Sequence, residues 1–190
     1  MIRRPPRSTQ SRSSAASDVY KRQILERALQ SSDQGSSAER VQVYSTLGIA
    51  YDRLGKVVDS QRSYEEALKL DPENALVLNN LAYSLSERDQ QLERCLEMAK
   101  IAVQKEPNNG AYLDTIGWVY FKLGNYEEAR IWIEKALSVG RESPAVLEHL
   151  GDVYHKLGQR EKAKEFWQRA LQLNANSISL REKVNGARTP

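Results

Sequence analysis

Between about residues 41 and 177, apolar side chains recur at intervals of three and four, so each run places them on one face of a helix. The runs come in pairs, divided by short polar turns that carry Gly55, Gly124 and Gly158. This pattern predicts helix–turn–helix hairpins. The second run of each pair holds an alanine near its end: Ala67, Ala102, Ala136 and Ala170.

The pairs repeat. Leu47-Gly48-x-x-Tyr51, Ile116-Gly117-x-x-Tyr120 and Leu150-Gly151-x-x-Tyr154 share one frame, and Leu81-Ala82-x-x-Leu85 keeps it with alanine for glycine. The spacings from 48 to 82, 117 and 151 are 34, 35 and 34 residues. A period of this length predicts stacked helical repeats, each buried against its neighbours. Glycine inside a helix costs about 1 kcal/mol against alanine. Its recurrence in one register therefore predicts a close helix crossing. Ala129 and Ala163, with Ser60 and Cys95 in the first two copies, are expected at the matching point of the second helices, and Tyr51, Tyr120 and Tyr154 beside the glycines.

These residues resemble the tetratricopeptide repeat. Leu47, Gly48, Tyr51, Ser60, Tyr64, Ala67 and Pro72 carry the resemblance in the first copy. Leu81, Ala82, Leu85, Cys95, Ala99, Ala102 and Pro107 carry it in the second, which has one residue inserted in its turn. Ile116, Gly117, Tyr120, Ala129, Ile133 and Ala136 follow in the third, and Leu150, Gly151, Tyr154, Ala163, Trp167 and Ala170 in the fourth. The resemblance implies an all-α, right-handed solenoid of antiparallel hairpins whose concave groove binds peptides. The copies span 41–74, 75–109, 110–143 and 144–177.

Helix starts are marked as well. Ser36 and Glu39 have capping-box spacing. Asn74 and Asn109 are expected caps, and Ser143 stands before Pro144. Residues 24–30 read as the last turns of a truncated hairpin, so 24–40 are a repeat remnant and a polar loop. Residues 178–190 hold a short helical pattern (Ile178, Leu180, Val184), read as a capping helix, the stub of another copy or a frayed tail.

Residues 1–23 lack this order. Met1–Thr9 and Ser13–Gln23 resemble the translations of two sequencing adapters in their correct order, so the segment is expected to be non-native and to add nothing to the fold. The true N-terminus would then be missing. The charge changes accordingly. The chain has 28 Lys and Arg against 25 Asp and Glu, net +3. Without six bases (Arg3, Arg4, Arg7, Arg12, Lys21, Arg22) and Asp18, 22 and 24 remain, net −2. The basic isoelectric point is therefore no argument for nucleic acid. No apolar run approaches the ~18 residues of a membrane span. A single cysteine assigns no compartment, which leaves bacterial cytoplasm and periplasm both open.

Motifs for chemistry are absent: no G-x-S-x-G, no phosphate-binding glycine loop and no H-E-x-x-H. His149 and His155 lack partners at metal-ligand spacing, and surface or packing roles are expected for them. Cys95 reads as a buried, inert thiol. No metal, cofactor or catalytic residue is expected, and the chain reads as a non-enzyme.

The informative stripe lies on the first helices, at positions two, five, nine and twelve of each copy. The resemblance implies that it faces the groove. Asn79, Tyr83, Asp114, Trp118, Phe121, Lys122, Glu148, Asp152 and His155 are the candidate contacts. Tyr83, Trp118 and Phe121 suit a binding hot spot, and packing between helices is the plainer role for Trp118. Asp114, Glu148 and Asp152 would favour an apolar, basic protein segment. The resemblance implies that clamps for a C-terminal carboxylate carry Lys and Asn in the slots held here by Ser45 and Ile49, with basic residues in later slots that are acidic here, which argues against that specialisation. The expected function is a non-catalytic peptide-binding scaffold. The alternatives are the docking arm of an enzyme whose catalytic domain lies upstream, and an assembly spacer of a bacterial envelope protein.

Overall fold

The structure, a computed structural model, describes residues 36–140 and 142–186, together with the exposed Val19, Tyr20, Gln23 and Ile24. The expectations for residues 1–23 and for the truncated hairpin at 24–30 otherwise lie outside the described residues. Among these the chain forms nine helices: α1 (Ser37–Arg53), α2 (Val57–Leu70), α3 (Ala75–Ser86), α4 (Leu92–Lys105), α5 (Gly110–Lys122), α6 (Tyr126–Val139), α7 (Pro144–Lys156), α8 (Arg160–Leu173) and α9 (Ile178–Gly186). It divides into two compact units, 1–84 and 85–190, with the division inside α3.

The first helix of each pair starts on a side-chain cap. Ser36 and Glu39 form a complete capping box on α1. The Asn74 side chain accepts from the Val77 amide, that of Asn109 from Ala111 and Tyr112, and the Ser143 hydroxyl from Val146 ahead of Pro144 at the first helical position. All four starts fall where the sequence marks them. The second helices start differently. None of α2, α4, α6 and α8 has a side-chain cap, and each follows a tight turn. Gly55, Gly124 and Gly158 adopt φ of 70°, 82° and 75° in three of these turns, a region that glycine enters without steric cost. The inserted turn of the second copy has no glycine, and Asp89 (φ 54°) and Gln91 (φ 49°) take left-handed conformations instead.

Within each unit the hairpins close at the glycines. A β-carbon on Gly48 would run into the Tyr64 ring, one on Gly117 into Ile133, and one on Gly151 into the Trp167 indole. The space beside the glycines is thus filled from the second helix, one turn beyond Ser60, Ala129 and Ala163. This corrects the expectation that Tyr51, Tyr120 and Tyr154 fill it; Tyr51 and Tyr120 remain partly exposed. The small residues themselves are sealed, with Ser60, Cys95, Ala129 and Ala163 all at 0 % exposure. In the second copy both slots hold alanine, Ala82 and Ala99, and both are fully buried.

In the first unit, Asp52 ties the hairpin together. It accepts from the Tyr64 hydroxyl at 3.2 Å and from Ser84 at 2.9 Å. Burial, with this carboxylate next to it, pushes the Tyr64 phenol well above its ordinary value. In the second unit, consecutive helices from α4 to α9 pack in sequence, and α5 also touches α7. Helix α9 behaves as another first helix. It packs on α8, buries Leu180 and Val184, and is capped by Ser177, 34 residues after Ser143.

Candidate functional site

The candidate contacts fall in both units. Asn79 and Tyr83 belong to the first. Asn79 is buried, its amide donates to Asn80 at 3.3 Å, and its Oδ1 has no hydrogen-bond partner. Tyr83 is partly exposed. The remaining seven belong to the second unit and are described there.

Helix α5 supplies Asp114, Trp118, Phe121 and Lys122 on one stripe because three- and four-residue steps return to the same face. Trp118 is 8 % exposed. Its indole N–H donates to Glu87 at 2.6 Å. The Phe121 ring stacks on it at 4.7 Å and the His149 ring at 4.1 Å. The Lys122 ammonium lies 5.4 Å from the same ring and pairs with Asp89 at 3.1 Å. Trp118 is therefore a packed centre of this face. The partly exposed members of the cluster are Phe121 and Lys122.

The three acids each have a partner within the chain. Asp114, 7 % exposed, meets His149 Nδ1 at 3.0 Å. Glu148 and Asp152 on α7 share the Lys183 ammonium of α9, both at 2.7 Å. Ser179 also donates to Glu148, and the Trp167 indole donates to Asp152 at 2.9 Å. His155 is exposed, with its ring 5.5 Å from Trp167. Charge at this face is thus largely matched within the chain.

Burial opposes protonation of His149, but the Asp114 carboxylate, with Glu87 and Asp152 nearby, outweighs it and holds the imidazole above its ordinary value. For Lys183 burial likewise lowers the affinity for the proton, and hydrogen bonds to Asp152 and Glu148 more than restore it.

Sequence reasoning gave His149 a surface or packing role without pairing it with Asp114, did not pair Glu87 with Trp118, and missed Lys183. A signal for two of them exists. His149 follows Asp114, and Lys183 follows Glu148, by 35 residues in each case. One repeat plus one residue is the step from the fifth position of a first helix to the sixth of the next.

Among the described residues, no group of three or more His, Cys, Asp and Glu side chains could hold a metal ion, and no helix is long and apolar enough to cross a membrane. Cys95 is fully buried, its thiol donates to the Gln90 carbonyl at 3.4 Å, and burial pushes it up to about 11.

The family profile described as tetratricopeptide repeat matches residues 4–172, beginning inside the adapter-like segment. A TPR repeat-containing protein of Pseudomonas aeruginosa is 25 % identical over 99 residues, and the matched segment is 52 % of this chain and 17 % of that protein. Among solved structures, a thermophilic TPR protein of Thermus thermophilus superposes with a TM-score of 0.70 at 20 % identity, covering 87 % of this chain and 88 % of that one. Pseudomonas aeruginosa pilF gives 0.67 at 24 % identity, covering 80 % and 68 %. The Cut9–Hcn1 hetero-tetramer of the APC/C gives 0.75 at 16 %, covering 88 % and 33 %. The fold class is therefore an all-α helical repeat with bacterial relatives.

Proposed function

Since the chain belongs to the tetratricopeptide-repeat family, a fold typical of protein–protein interaction modules, we propose that it is a non-catalytic scaffold whose α5–α7 face binds a segment of another protein. One observation carries this reading. Phe121 is a large, partly exposed aromatic ring held flat against the buried Trp118, and Lys122 is fixed beside it by Asp89. An anchor that is already ordered loses little conformational freedom on binding. Buried aromatic contacts of this kind commonly dominate an interface.

The partner proposed is an apolar segment with basic residues. Glu148 and Asp152 already hold Lys183, so a basic residue of the partner would take its place between them. His155 stands exposed one turn beyond Asp152 and would lie at the rim. Asn79 and Tyr83 are proposed as contacts of the first unit.

The test is a peptide array of apolar and basic segments, read by fluorescence anisotropy with the chain and with Phe121→Ala, Lys122→Glu and His155→Ala. Circular dichroism confirms that the variants fold. Phe121→Ala should weaken binding at least tenfold, and Lys122→Glu should change its salt dependence. Binding indifferent to all three removes this face and favours the spacer reading. A docking arm of a longer protein is a second proposal, supported by the short share, 17 %, of the Pseudomonas relative that the match covers.

A further inference from the structure

Two buried or half-buried ion pairs of the second unit occupy equivalent places. Asp114 on α5 meets His149 on α7, and Glu148 on α7 meets Lys183 on α9, each across 35 residues. Both acids stand at the fifth position of a first helix, and both partners at the sixth position of the next. The same structural role is filled once by a permanent cation and once by a titratable one. We propose that His149 is a proton-controlled latch that fastens α5 to α7 when protonated and loosens them when it loses the proton. This inference is independent of which partner the α5–α7 face binds.

The geometry gives the latch its chemistry. Both members are 7 % exposed, so neither charge has water to fall back on. A buried carboxylate without a matching charge is costly. Protonated His149 supplies that charge to Asp114 at 3.0 Å. Neutral His149 can still donate one hydrogen bond, but the net charge of the pair becomes −1. The Trp118 ring, stacked at 4.1 Å, adds a cation–π contact to the protonated form only.

The surroundings favour the proton. Asp114 faces His149 from α5, Glu87 from the turn after α3, and Asp152 from its own helix. Lys183 of α9 binds Asp152 and Glu148 and offsets part of that field. Lys122 lies on the other side of the cluster, paired with Asp89. Burial lowers the imidazole's proton affinity, yet the carboxylates win and the value stands above the ordinary one. The sign follows from linkage. A group whose proton is held more tightly in the folded state contributes its full stability below the unfolded value, roughly pH 6.5. That contribution is lost as pH rises through the folded value.

The experiment uses the whole chain. The chain contains two histidines, so His155→Gln leaves a single imidazole for NMR. The His149 resonance should titrate with a midpoint clearly above about 6.5. Urea unfolding of the wild type should show a midpoint that falls as pH rises from about 6.5 through the range in which His149 titrates. His149→Lys should hold its midpoint across that window, and His149→Gln should have a low midpoint without the fall. A His149 titration at or below 6.5 overturns the proposal. So does an unchanged fall in His149→Gln, or a fall in His149→Lys equal to the wild type's. If His149→Gln does not fold, the NMR titration and His149→Lys decide.

Discussion

Gly117 and Ile133 stand so close that a β-carbon on the glycine would overlap the isoleucine side chain and come within 3.2 Å of the Ala129 carbonyl. The side chain could yield, but the backbone oxygen is fixed by its helix. The glycine is thus a requirement of the crossing, and its helix-propensity cost of about 1 kcal/mol is offset by the packing it permits.

Gly117→Leu should therefore destabilise the chain by about 1–3 kcal/mol or more through overpacking. Lys122→Ala, on the same helix but partly exposed, should cost less than about 1 kcal/mol, the usual scale of a surface ion pair with a cation–π contact. Urea unfolding followed by circular dichroism separates the two. Equal losses would contradict the crossing.

The turn of the second copy offers a gain. Gln91 sits at φ 49° without a side-chain cap on α4. Left-handed backbone costs a residue with a β-carbon roughly 1–2 kcal/mol. Gln91→Gly relieves that and restores some unfolded-state freedom, so a net gain of up to about 1 kcal/mol is expected. Gly124→Gln, at φ 82°, should show the opposite sign. Thermal melts of both variants test the pair of signs together.

Removing a cap gives a third outcome. Ser36→Ala removes the hydroxyl that accepts from the Glu39 amide, while the residue 36 amide can still donate to the Glu39 carboxylate. A loss of about 1 kcal/mol is expected, confined to the start of α1. Hydrogen exchange at the Glu39 amide should rise more than at amides in the middle of the helix.

Cys95 predicts a chemical result. Thiolate is the reactive form, and a thiol pushed up to about 11 inside the protein supplies almost none at neutral pH. Iodoacetamide labelling at pH 8 should proceed at the rate of unfolding and accelerate with urea. Fast labelling of the folded chain would contradict the buried slot.

Much of the fold was legible in the sequence. The glycine frame, the turn glycines and the caps Ser36, Asn74, Asn109 and Ser143 are local signals, each dictated by backbone geometry within a few residues. The partner of each glycine was less legible. Tyr64, Ile133 and Trp167 differ in kind and share only position, so no residue type marks the slot. At the candidate site, Phe121 and Lys122 were read from one helix face. The pairing of Asp114 with His149 was not, because it joins positions on different copies, and the first copies hold Thr46, Asn80 and Thr115 where His149 and Lys183 stand later. The 35-residue step shared by the two pairs occurs only in the last copies, so it does not stand out from the period of the whole array.

The alternation of caps bears on how the molecule breathes. Starts of α1, α3, α5, α7 and α9 are closed by side chains, whereas α2, α4, α6 and α8 begin on bare turns. Open first-turn amides fray at little cost. The hairpins should loosen from their tips while the joints between successive copies stay shut. The tips are consequently where an inserted loop or a fluorescent tag would disturb the array least, and the extra residue already carried by the turn after α3 is a natural instance of such an insertion.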